Sequence, residues 1–159
     1  MSSGIAGSRG TSVRRIALGA LIVVTAFNAL SAVGGGLAVL ATNGLGMPES
    51  MLANGPFDSF LWPGIILLVV VGGTQLLATV LLVLRREASL LGAAVAGFGM
   101  VIWIFVETGI IAGISWLQVL YFVTGTVQLI LVFALLGVAA WLPRAPLRRP
   151  PIAAAASSQ

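Results

Sequence analysis

Glu107 is the one acid of this sequence set inside an apolar run, Trp103-Ile104-Phe105-Val106-Glu107, and the amides Asn28, Gln75 and Gln128 stand in equally apolar surroundings. Polar groups in hydrocarbon are costly, so each of these needs a partner or a purpose. A carboxylate in such a place can exchange a proton or hold a cation. Amides there either bond from one helix to the next or line a small ligand site.

Other chemistries lack their residues, because the chain has neither cysteine nor histidine. Thiol–disulfide exchange is excluded within the chain. So are haem on an axial histidine, histidine-ligated copper or iron, and Cys/His zinc sites. Ser-His-Asp and Cys-His nucleophilic groups are equally excluded. We assign no catalytic residue, no metal ligand and no cofactor.

The elements that must position the four polar groups follow from composition. Of 159 residues, 59% are hydrophobic and 8% charged, whereas soluble domains carry roughly 25% charged residues. The set is too poor in charge to cover a water-facing surface, which puts the chain in the membrane class. Eight arginines, no lysine and four acids give a net charge of +4. The arginines fall in small clusters at the ends of apolar runs, without the basic face that nucleic acid requires, so nucleic acid is excluded as a partner.

Four runs are long enough to cross a bilayer, for which about 20 apolar residues suffice. They cover about 16–41, 60–84, 89–111 and 116–141. Residues 1–12, of Ser, Gly and Ala with one Arg, read as a disordered tail, and so do the Pro-, Arg- and Ala-rich residues 143–159. Between the first two runs, Pro48 and Glu49 open a short helical signal that Asn54-Gly55 closes. The expectation there is a short helix on the membrane surface with Met51 and Leu52 turned down. Fold class is therefore all-α, an integral membrane four-helix bundle running up-down-up-down over residues 13–142.

Arginine placement orients the bundle. Arg9, Arg14 and Arg15 precede the first run, Arg85 and Arg86 separate the second from the third, and Arg144, Arg148 and Arg149 follow the fourth. In a four-span chain these regions share one side, while Glu49 and Asp58 lie on the other. The positive-inside rule places both termini in the cytoplasm, with the chain in the plasma (inner) membrane.

Spacing then groups the polar residues. Gln75 lies about 20 Å along its helix from Trp62, Gln128 about 18 Å from Trp116, and Asn28 reaches the same depth from Arg15. Asn28, Gln75 and Gln128 form a candidate midplane layer. Glu107, about 27 Å from Ser89, falls near the outer edge of the core. Its expected neighbours are Asp58, Trp62, Trp116, Gln118 and Tyr121, a candidate outer-face cluster in which Asp58 and Glu107 could pair. Trp62, Trp116 and Trp141 sit where aromatic belts form.

Pro56-Phe57-Asp58-Ser59-Phe60-Leu61-Trp62-Pro63-Gly64, Gly72-Gly73, Trp103 to Glu107 and Trp116-Leu117-Gln118-Val119-Leu120-Tyr121-Phe122 resemble the small uncharacterised four-span integral membrane proteins of the actinobacterial type. A looser resemblance in size and span number is to DoxX-like membrane proteins. The first resemblance implies topology and carries no activity; the second implies a link to redox systems.

The expected role is a non-enzymatic accessory, assembly or interaction component, since the soluble parts are too short for a catalytic domain. Its partners would be the lipid bilayer and another membrane protein or a second copy of the chain. One alternative is a small carrier or channel using the midplane amides and Glu107. The other is a quinone-linked or DoxX-like redox subunit.

Overall fold

The computed structural model describes residues 4–53, 55–111 and 115–137, and side chains from Ser12 onward. Among the described residues all regular structure is helical. Helix α1 spans Gly4–Thr42. A 3-10 turn, Glu49–Leu52, leads to a second long helix made of α2 (Leu61–Ile65), a π segment (Ile66–Gly72) and α3 (Gly73–Val83). Helices α4 (Ser89–Ile111) and α5 (Trp116–Leu135) complete the bundle. Four of these stretches are long and apolar enough to cross a membrane: Ser12–Thr42, Leu61–Val83, Ser89–Ile111 and Trp116–Leu135.

Helix α1 begins inside the stretch read from sequence as a tail. No proline precedes Pro48, and a helix nucleated over the apolar run gains one hydrogen bond for each residue added toward the N-terminus. The fourth long helix stops before the expected position 141. Leu136 closes it and Gly137 turns left-handed at φ +74°, the usual way a glycine ends a helix. Trp141, the arginines beyond it and the tail 143–159 lie outside the described residues.

Left-handed residues also end the first two long helices. After α1, Asn43, Gly44, Leu45 and Gly46 all have positive φ, at 49°, 101°, 57° and 77°. The Gly44 N–H donates to the Val39 carbonyl at 2.9 Å, and the Leu45 N–H donates to Thr42 Oγ1 at 2.8 Å. Gly44 cannot be replaced without a collision, since a Cβ there would run into the Phe60 ring. After α3, Arg85 takes φ 51° and the Arg86 N–H reaches back to the Leu81 carbonyl at 3.0 Å, the pairing of a Schellman cap.

Small residues set the helix spacing. A Cβ on Gly36 of α1 would lie 2.7 to 2.9 Å from Leu68 Cβ, N and Cα, and one on Gly97 of α4 would lie 2.9 Å from Leu129 Cδ2. Backbones therefore approach closely along α1 against the π segment and along α4 against α5, as small residues allow in apolar helices. The core has three groups along the bundle. Leu21, Ala78, Leu82, Ala93, Ala96 and Val132 pack toward the arginine end. Ala32, Val71, Met100, Trp103 and Ile104 form the middle. Val39, Leu52 and Phe60 form the loop end, where the 43–60 connection folds over.

The 3-10 turn packs downward by one side chain. Leu52 is buried in the loop-end group, while its neighbour Met51 stays exposed. Outside the core, large apolar side chains are exposed on every long helix, among them Leu30, Val69, Phe105 and Ile130. Water-soluble monomers rarely show apolar surface on all sides.

Candidate functional site: a cavity at the loop end

Two features inside the bundle bring polar groups together. The deeper one consists of Asn28, Gln75 and Gln128, each 0% exposed. Asn28 Nδ2 donates to Gln128 Oε1 at 3.1 Å, and Gln128 Nε2 donates to the Ala93 carbonyl at 2.8 Å. Gln75 Nε2 donates to the Ala96 carbonyl at 3.2 Å. Ala93, Ala96 and Gly97 leave the α4 backbone uncovered, so side-chain amides from either flank can reach its carbonyls. These contacts tie α1, α3 and α5 to α4. Asn28 Oδ1 and Gln75 Oε1 stay buried without a hydrogen-bond partner.

Hydroxyls at similar depth bond within their own helices. Thr25, Thr74, Thr79, Thr124 and Thr126 each donate to a carbonyl three or four residues back. None of these is directed at a ligand.

The second arrangement is a cavity of about 440 Å³ at the loop end. Its walls come from α1 (Ser31, Ala32, Gly35, Val39), from the π segment (Leu67), from α4 (Met100 to Ile111) and from the start of α5 (Leu117, Gln118, Tyr121), and Leu45, Met47 and Met51 of the connection reach over it. Glu107 lies in its wall, and also borders a smaller cavity of about 50 Å³ beneath Leu52 and Phe60. Glu107 makes no hydrogen bond or ion pair with any described residue. The arginines with described side chains, Arg14, Arg15, Arg85 and Arg86, are exposed at the first end of α1 and in the connection from α3 to α4, away from it.

Compared with family models, curated proteins and solved structures, the chain matches none. The reading of the site therefore stands on its own geometry.

Of the six residues expected to cluster on the outer face, the cavity gathers three: Glu107, Gln118 and Tyr121. Asp58, Trp62 and Trp116 are exposed and lie outside its walls. Gln118 has a structural duty as well, because its Oε1 accepts the Ser115 N–H at 2.6 Å and caps α5. Tyr121 stacks on Phe27 with ring centroids 6.4 Å apart.

Sequence reasoning did not single out Met47, Met51, Met100 or Ser31 as site residues. Three of the chain's four methionines line this cavity. Their spacing carries no helical period, because two belong to the connection and one to α4. Trp103 is also in the wall; its Nε1 is buried without a partner.

Proposed function

We propose that the chain is a non-enzymatic multi-pass protein of the plasma membrane, running up-down-up-down with both termini in the cytoplasm, and that it holds a small, largely apolar molecule in the loop-end cavity. The observation that carries this is the cavity itself, about 440 Å³ walled by four helical segments and covered by Leu45, Met47 and Met51. Deeper in the bundle, the buried amides of Asn28, Gln75 and Gln128 are bonded between helices and do not line the cavity.

Pockets for small molecules run from about 300 to 1,000 Å³, mostly apolar with a few polar groups to set orientation. The loop-end cavity has that size and that lining. A carrier or channel needs polar groups free along a path, whereas every midplane amide here donates to another helix and only Asn28 Oδ1 and Gln75 Oε1 stay unpaired. Arginines on one side of the four apolar helices support the orientation, which sets the cavity on the outer face.

The test is native mass spectrometry of the purified protein with a cavity-filling variant beside it. A Cβ on Gly35 would touch only Leu67, at 3.6 Å, so Gly35→Phe fits at its base and extends from a wall of the cavity. The wild type is expected to carry an added mass that Gly35→Phe lacks. Equal spectra from the two proteins would overturn the proposal.

A further inference from the structure

We propose that the ligand of the loop-end cavity is an organic cation, a tertiary or quaternary ammonium on an apolar body, with its charge at Glu107. This rests on the cavity being a binding site, as argued above. A carboxylate in a mostly apolar wall is costly to desolvate unless a charge or a donor meets it. Among the described residues no bond or ion pair is made to Glu107, which leaves its carboxylate open to a cationic group of a ligand.

The remaining walls narrow the class. Trp103 and Tyr121 share the cavity with Glu107, and aromatic faces attract organic cations as well as pack against them. Met47, Met51 and Met100 add unbranched, polarisable side chains that adapt to ligand shape. Among the described residues an anionic ligand finds no arginine in these walls, only Glu107. A bare metal ion needs several oxygen ligands at short range, which one carboxylate in a space of about 440 Å³ does not supply. A primary ammonium needs acceptors for three N–H groups, and beside Glu107 the mostly apolar walls offer only the Ser31, Ser115 and Tyr121 hydroxyls and the Gln118 amide, which already accepts the Ser115 N–H. A tertiary or quaternary ammonium needs a negative charge and aromatic walls.

The experiment is equilibrium dialysis of labelled dodecyltrimethylammonium against the protein in neutral maltoside micelles, with empty micelles subtracted. Dodecanol and dodecyl sulfate serve as neutral and anionic comparators. Saturable binding of the cation is expected, and none of dodecyl sulfate assayed by itself. Glu107→Gln should weaken it roughly tenfold or more, with Glu107→Asp in between, and Gly35→Phe should abolish it. If Glu107→Gln binds the cation as the wild type does, or the wild type holds dodecanol as tightly, the charge assignment fails while the cavity stands as a site. If no amphiphile binds saturably and Gly35→Phe changes nothing, the site itself fails and the cation with it. Circular dichroism and gel filtration of each variant exclude misfolding as the cause.

Discussion

Asn28 and Gln128, a hundred positions apart in sequence, meet in the middle of the bundle, where Asn28 Nδ2 donates to Gln128 Oε1 at 3.1 Å. Gln128 passes the link on to the Ala93 carbonyl at 2.8 Å, so one side chain joins the first, third and fourth long helices. Gln75 makes a single bond of the same kind, to Ala96.

That difference predicts an order of stabilities. Interhelical hydrogen bonds in apolar surroundings contribute about 0.6 kcal/mol on average and about 1.7 at most. Gln128→Leu removes two and leaves the Asn28 donor buried alone, so it should cost roughly 1 to 3 kcal/mol. Gln75→Leu removes one bond and also the unpaired Gln75 Oε1, and should cost less than about 1 kcal/mol. Reversible unfolding in mixed micelles measures both, and equal losses would contradict the linkage described.

Helix spacing makes a sharper contrast between neighbouring glycines. Gly36→Ala would set a methyl within 2.7 to 2.9 Å of the Leu68 backbone and Cβ, which forces α1 from the π segment and should cost about 1 to 3 kcal/mol. At Gly34 nothing lies within 4 Å of an added Cβ, and Gly34→Ala should be neutral or stabilising by up to about 1 kcal/mol. Melting temperatures of the two variants in the same detergent decide the matter.

Leu45 carries a left-handed backbone at φ 57°, which costs a residue with a Cβ about 1 to 2 kcal/mol. Leu45→Asn should therefore keep or raise the melting temperature. Leu45→Val, branched at Cβ, should lower stability by about 1 kcal/mol. A gain from Val over Leu would show that the 43–46 turn is not held as described.

Because the chain has no cysteine, single cysteines report orientation without background. Ser50→Cys lies in the 3-10 turn at the loop end and Ala88→Cys in the connection after Arg86, both exposed. In intact cells a membrane-impermeant maleimide should label Ser50→Cys alone, and Ala88→Cys only after permeabilisation. The reverse pattern would invert the proposed orientation and turn the cavity toward the cytoplasm.

Much of the architecture was legible in the sequence, because helices long and apolar enough to cross a membrane announce themselves by apolar length. The described helices start at Trp116 and Ser89 where expected and within a residue of the expected start for the second. Matched depth for Asn28, Gln75 and Gln128 was legible too, since 1.5 Å per residue fixes height along an axis. Rotation about that axis was not. The π segment Ile66–Gly72 adds extra residues per turn, and nothing in Ile-Leu-Leu-Val-Val-Val-Gly signals it.

The candidate site was half legible for the same reason. Glu107 stood out as an acid among apolar residues, and Gln118 and Tyr121 lay at its height. Met47 and Met51 reach the cavity only because four successive residues turn left-handed after Thr42, a path that composition does not encode. Asp58 and Trp62 shared the right height but lie outside the cavity wall.

The cavity lies under Leu45, Met47 and Met51 of the connection, so on the proposed orientation its occupant would come from the outer side. Occupancy would then track the concentration on that side. The occupant's arrival would touch α1, the π segment, α4 and α5 at once, and would be read from helix positions around Trp103 and Tyr121.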